Sequence, residues 1–196
     1  LPIWGGDVVV RALAQKLGSA LGQQVVVDNR PGGGAVIGTD LAARAAPDGY
    51  TLLLGATSLS INVSLRRRLP YDTLKDLLPV TQIASQPHLV VVHPSFPARS
   101  IRDLLALARA RPGQYTYGTS GTGSGAHLAC ELFKHMAGID LAHVPYKGTA
   151  PSMIDLLAGQ ISLTFSTSIG ALPHVKSGRL HALAVTTAKQ IGRAHV

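Results

Sequence analysis

The chain of 196 residues is 46% hydrophobic and only 14% charged, a composition that supplies a core and excludes intrinsic disorder. Its formal net charge of +8 is dispersed, with nine Lys plus Arg against six acids over residues 1–100 and nine against four over 101–196. Only Arg66, Arg67 and Arg68 cluster, without interleaved aromatics, and no apolar run approaches the roughly 18 residues of a membrane span, so neither a nucleic-acid partner nor membrane insertion is expected.

With 21 glycines and 12 prolines, the chain should form many short elements joined by tight turns. Val9, Leu13, Leu17 and Leu21 recur at helical spacing, with Asp7 as the N-cap and Gly22 as the stop. A β-branched strand at 25–27 follows, then the loop 28–34, in which Asp28 and Asn29 shape the turn before Pro31. A helix over 36–45, a Pro-Asp-Gly turn at 47–49 and a strand at 50–54 come next. Two more strands are predicted at 78–84 and 88–92, the second continuously apolar as a buried strand should be.

The pattern restarts at Ser100, which with Asp103 forms a capping-box signature for a helix ending near Arg111. Strands at 115–118, 141–144, 161–165 and 182–186 then alternate with helices at 126–137, 151–158 and 169–176. The single cysteine, Cys130, cannot form an internal disulfide and sits on the first of these helices as a small buried hydrophobe. Right-handed crossovers predict parallel pairing, and ligands of such sheets bind beyond the carboxyl ends of the strands. Thr57 and Ser58, residues 119–125, residues 146–149 and residues 166–168 are read as hydroxyl-rich loops at those ends.

Residues 117–128 (Tyr-Gly-Thr-Ser-Gly-Thr-Gly-Ser-Gly-Ala-His-Leu) run from a strand into a helix. Glycines there permit close backbone approach, Ser and Thr add hydroxyls, and the first helical amides carry partial positive charge, so the segment reads as an anion cradle. Sharper versions fail on spacing. Gly118 and Gly123 match a P-loop, but Ser124 and Gly125 stand where Lys and Ser or Thr are required. No serine has glycine two residues before and two after, as a nucleophile elbow needs. Gly32, Gly34 and Gly38 follow a strand with one residue too many for a dinucleotide fingerprint. His127 and His135 stand two turns apart with no acidic or cysteine partner, so no metal is expected.

Longer strings are more specific: Val-Val-Asp-Asn-Arg-Pro-Gly-Gly-Gly at 26–34, Ala-Pro-Asp-Gly-Tyr-Thr-Leu-Leu-Leu-Gly at 46–55, Leu-Pro-Tyr-Asp at 69–72, Tyr-Gly-Thr-Ser-Gly at 117–121 and His-Val-Pro-Tyr-Lys-Gly at 143–148. In this order they resemble the Bug-type receptors, the substrate-binding components of tripartite tricarboxylate transporters (TctC family). The resemblance implies an α/β, two-lobed periplasmic binding protein of the type II fold, with mainly parallel sheets flanked by helices and a cleft between lobes. Residues 1–87 would form the first lobe, 88–186 the second, and 187–196 the start of a return to the first. It also implies a periplasmic monomer without catalysis, cofactor or metal, which captures a small carboxylate or dicarboxylate through backbone amides, hydroxyls and water and hands it to membrane transporter components.

Matched to the family's cleft loops, the ligand contacts implied here are Gly5, Gly6 and Asp7; Thr57 and Ser58; Ser120, Gly121, Thr122, Gly123 and Ser124; Tyr146, Lys147 and Gly148; and Ser166. His127 is added as a polar support of the cradle, and Tyr146 as a ring that covers ligand while its hydroxyl donates; His143 is read as structural. The chain departs from the family at its ends. Leu1-Pro2-Ile3-Trp4 replaces the usual aromatic and proline-glycine loop, and residues 191–196 resemble a translated sequencing adapter. A fragment lacking a first strand, its signal peptide and its return segment is therefore expected, with poor stability on its own. Two other functions fit the residues alone: an α/β enzyme acting on an anionic metabolite, which would need a cleft histidine coupled to an acid, and a sensing domain for a membrane partner.

Overall fold

The computed structural model describes residues 5–187, which divide between Gln82 and Ile83 into two compact units.

The first unit is built from helix α1 (Gly5–Leu21), a 3-10 turn (Gly33–Ala35), α2 (Val36–Ala43) and α3 (Thr57–Leu65). Helix α1 is followed by Gly22 in the left-handed region (φ 65°), the expected stop. Helix α3 contradicts the loop reading of Thr57 and Ser58, which lie in its first turn. Its buried residues are polar, Ser58 and Asn62, and hydrophobic periodicity does not register them. Asn62 Nδ2 donates to the Gly34 carbonyl (2.9 Å) and Arg66 Nη2 to that of Gly33 (2.6 Å), tying α3 to the glycine turn. Arg66 is thus a structural donor rather than one more solvated charge.

The strands predicted at 25–27, 50–54 and 78–84 have no ladder among the described residues. A strand exists only where a neighbour accepts its amides and donates to its carbonyls, and here the side chains of Val26, Leu52 and Leu78 are largely exposed.

The second unit holds a five-stranded sheet of order β3-β2-β4-β1-β5. Its strands are β1 (His88–Val92), β2 (Thr116–Thr119), β3 (Ala142–Pro145), β4 (Leu163–Thr167) and β5 (His181–Val185). Between them run α4 (Ile101–Ala110), α5 (Gly125–Ala137), α6 (Thr149–Leu157) and α7 (Ser168–Lys176). The parallel pairing expected from crossovers joins β2 to both β3 and β4, whereas β1 runs antiparallel to β4 and β5 and makes the sheet mixed. Strand pleating sends Val90 and Val92 into one core cluster and Val91 into another. On one face lie Leu104 and Ala108 of α4 and Cys130 of α5; on the other, Met153 and Leu156 of α6 and Ala171 of α7. Burial on both faces is why β1 reads as an unbroken apolar run.

Local signals place the helices. Ser100 Oγ accepts from the Asp103 amide (3.1 Å) while the Asp103 carboxylate takes the amide of Arg99 (3.0 Å). The Arg99 amide, seconded by the Ser100 hydroxyl, holds the Asp103 carboxyl below its usual range. Cys130 is fully buried beside Tyr117 and Phe133 in the first cluster, and burial pushes its thiol up, as an inert small hydrophobe requires.

Leu104 is fully enclosed between α4 and the sheet. Leu104→Ala should cost about 2–5 kcal/mol, seen as a lower urea midpoint with an unchanged slope.

Candidate functional site

Strands β3, β2 and β4 are neighbours and point the same way, and each leads into a helix, α6, α5 and α7 respectively. The three helix N-termini therefore lie at one edge of the sheet, where their unpaired first-turn amides carry partial positive charge. The corners are joined to one another. Tyr146 N donates to the Thr119 carbonyl (3.0 Å) and Gly148 N to that of Ser120 (3.2 Å), while Thr164 Oγ1 donates to the Gly118 carbonyl (2.7 Å). A Cβ on Gly170 would stand 3.2 Å from Ser166 Oγ, 3.4 Å from Thr167 Oγ1 and 3.8 Å from Thr149 Cγ2, so the β3 and β4 corners adjoin.

The glycines at this edge have specific causes. Gly121 (φ 129°) and Gly123 (φ 81°) turn the loop after β2 through backbone regions closed to other residues. Gly118 leaves no room for a side chain, because Ile161 Cδ1 and Ser152 Oγ would meet its Cβ below van der Waals distance.

The structure brings together Ser120, Gly121, Thr122, Gly123, Ser124, His127, Tyr146, Lys147, Gly148 and Ser166, all of the expected contacts that fall in the second unit. Their side chains differ in what they have left to offer. Ser124 Oγ caps α5 by accepting from the His127 amide (3.2 Å). Thr122 and Lys147 are exposed. Gly148 (φ 118°) precedes the first turn of α6. Ser166 is buried, and its hydroxyl's only hydrogen bond among the described residues is a long one to the Thr167 carbonyl (3.4 Å). The Tyr146 expectation needs correcting: its hydroxyl donates to Asp155 Oδ2 (2.6 Å) inside α6. Burial, seconded by that carboxylate, pushes the phenol up to about 12, so the group is spent on structure.

The other expected contacts are in the first unit. Gly5, Gly6 and Asp7 open α1 and Thr57 and Ser58 open α3. The N-cap reading of Asp7 is also corrected. Its buried carboxylate accepts from Arg11 Nε (2.9 Å) and Asn29 Nδ2 (2.7 Å), and these bonds, Arg11 first, hold its pKa down. Asn29, read as a turn former, anchors the loop to α1.

Sequence reasoning passed over Thr149 and Thr167 as individual contacts and took His143 for structure alone. Thr167 Oγ1 is buried with no hydrogen-bond partner among the described residues. His143 Nε2 lies 2.7 Å from Thr119 Oγ1, which also accepts from the Gly121 amide (3.2 Å). The available signal was positional: each parallel strand ends in a hydroxyl-bearing residue or runs straight into one.

The sheet flanked by helices is the architecture of solved periplasmic binding proteins. A structure described as that of a periplasmic transporter matches 97% of this chain and 64% of its own, with a TM-score of 0.92 at 40% identity. Rpa4515 of R. palustris, solved with adipate, matches the same shares with a TM-score of 0.93 at 38% identity. In sequence, the model of the tripartite tricarboxylate transporter family receptor (TctC) matches residues 9–194, reaching into the terminal stretch expected to be foreign, which lies outside the described residues. Protein BugT of Bordetella pertussis is 42% identical over 91% of this chain. The chain belongs to the tripartite tricarboxylate transporter receptor family, a family of binding receptors rather than enzymes. It spans about half the length of the curated relatives it matches, 56% in the case of BugT. No described helix is long and apolar enough to cross a membrane.

Gly118→Ala should destabilise the second unit by about 1–3 kcal/mol, the usual cost of overpacking, and displace α6 through Ser152. A thermal melt together with the Ser152 amide shift would check both.

Proposed function

We propose that the edge formed by residues 119–124, 146–149 and 166–168 binds a carboxylate group of a small organic acid or acidic amino acid. The observation that carries this is the convergence of three helix N-termini from adjacent parallel strands. Each end is equivalent to roughly half a positive charge, so together they offset an anion without desolvating a lysine or arginine. The hydroxyls of Ser120, Ser166 and Thr167 and the amides at the starts of α5, α6 and α7 are the donors. Solution of a 38%-identical neighbour with adipate supports a carboxylate, and the family description supports a receptor. The first turns of α1 and α3, with Gly5, Gly6, Thr57 and Ser58, are proposed as contacts on the same chemical ground. In the whole protein this site would serve a periplasmic, monomeric receptor that delivers its ligand to membrane transporter components.

Calorimetry of the chain with adipate, malate and the uncharged diamide of adipate tests the reading. A dicarboxylate should bind and the diamide should not. Thr167→Val should weaken binding about tenfold, the loss of a hydrogen bond to a charged group. Binding of the diamide as tight as that of adipate, or no heat with either acid, would overturn it.

A further inference from the structure

We propose that Asn62 and Arg66 are positioning residues: together they hold residues 32–35 in a strained left-handed turn and, through that turn, fix where helix α3 presents Thr57 and Ser58. The inference rests on the reading of α3's first turn as a ligand contact for its functional meaning, and on bonds within the first unit alone for its mechanism.

Four residues in succession have positive φ: Gly32 at 128°, Gly33 at 59°, Gly34 at 66° and Ala35 at 73°. Three are glycines, which enter that region without steric cost. Ala35 is the only residue other than glycine so placed among the described residues, and there its Cβ crowds the following carbonyl. Left to itself it would return to the right-handed region that Val36 takes next (φ −61°, ψ −41°). The turn closes on itself through Ala35 N to the Gly32 carbonyl (3.1 Å) and Val36 N to the Gly33 carbonyl. A right-handed turn makes the same bonds, so they do not select the hand.

The hand is selected from outside the turn. Arg66 Nη2 donates to the Gly33 carbonyl (2.6 Å), Asn62 Nδ2 donates to the Gly34 carbonyl (2.9 Å), and Arg66 Nε donates to Asn62 Oδ1 (3.1 Å). The two side chains therefore act as one clamp on successive carbonyls. Reversal of the turn would swing those carbonyls away and leave the fully buried Asn62 amide without its acceptor.

The same clamp aims α3. Ser58, Asn62 and Arg66 stand at successive four-residue steps and share one face of the helix. The buried residues of α3 are Ser58 and Asn62, both polar, while Val63 and Leu65 are exposed. A polar stripe rather than an apolar one thus sets the rotation of α3 about its axis. With Asn62 and Arg66 fixed on the turn, Ser58 is fixed one helical turn earlier, at a helix start that has no side-chain cap and so keeps its first amides open.

The test compares the ¹⁵N-labelled 196-residue chain with Arg66→Met, Ala35→Gly and the two changes together, reading the amides of Gly33, Gly34 and Ser58 and the affinity for adipate. Arg66→Met removes both bonds of the guanidinium and keeps most of its stem. All three amides should shift in it, and adipate should bind about tenfold more weakly, as for the loss of one hydrogen bond to a charged group. Ala35→Gly alone should raise the urea midpoint and leave the Ser58 amide and the affinity as they are. In the double variant it should return the Ser58 amide and the affinity toward their original values, because glycine holds the left hand without a clamp. If Arg66→Met does not fold, Arg66→Lys, which keeps a single donor, should show the same changes at reduced size. An Arg66→Met chain that is only less stable, with the three amides and the affinity unmoved, would overturn the inference, as would a double variant that Ala35→Gly fails to restore. Amides that shift and are restored in a chain that never binds adipate would leave the clamp standing and sink the carboxylate reading alone.

Discussion

The parallel pairing of β2 with β3 on one side and β4 on the other is the constraint on which the site depends. Each strand must be followed by a helix that crosses back over the sheet, so three helix starts come to one edge with their amides unpaired. Had β2 paired antiparallel with either neighbour, one start would lie at the opposite edge. Strand β1 shows the difference: it runs antiparallel to β4 and β5, and its following helix α4 is capped by Ser100 and Asp103 away from that edge. The bonds from Tyr146 and Gly148 to the carbonyls of Thr119 and Ser120 then turn a topological coincidence of helix ends into one connected surface.

Much of this was legible in the sequence because the second unit signals its structure locally. Ser100 and Ser124 cap the helices they were placed to cap or precede, Gly138 closes α5 in the left-handed region, and the apolar run 88–92 is buried on both faces. The direction of β1 was not legible, since a buried strand looks the same whichever way its neighbour runs. In the first unit, α3 was hidden because polar bonds from Asn62 and Arg66 to glycine carbonyls hold it, and periodicity counts only apolar residues. The segments at 25–27, 50–54 and 78–84 have strand composition, but composition cannot supply the neighbour that makes a ladder.

The candidate site divides along similar lines. Glycines and hydroxyls near strand ends pointed to the proposed edge, and the string resemblance identified the family. Commitment of each side chain was beyond sequence reasoning. Tyr146 spends its hydroxyl on Asp155, Asp7 spends its carboxylate on Arg11 and Asn29, and Ser124 spends its oxygen on a cap. Those partners lie 9, 4, 22 and 3 residues away, so even near neighbours in the chain were not evident without the backbone path. The groups proposed to meet a ligand are therefore mainly backbone amides, with the hydroxyls of Ser120, Ser166 and Thr167, and such groups would read a carboxylate far better than the rest of the molecule carrying it.

The central claim is that amides at one sheet edge receive the carboxylate. An amide-resolved map of the shifts produced by adding adipate to the ¹⁵N-labelled chain tests it most directly. The account predicts that the largest shifts cluster at residues 120–125, 148–150 and 167–170, the starts of α5, α6 and α7. Shifts confined to α4 and β5, or spread evenly over the surface with none at those three starts, would contradict it.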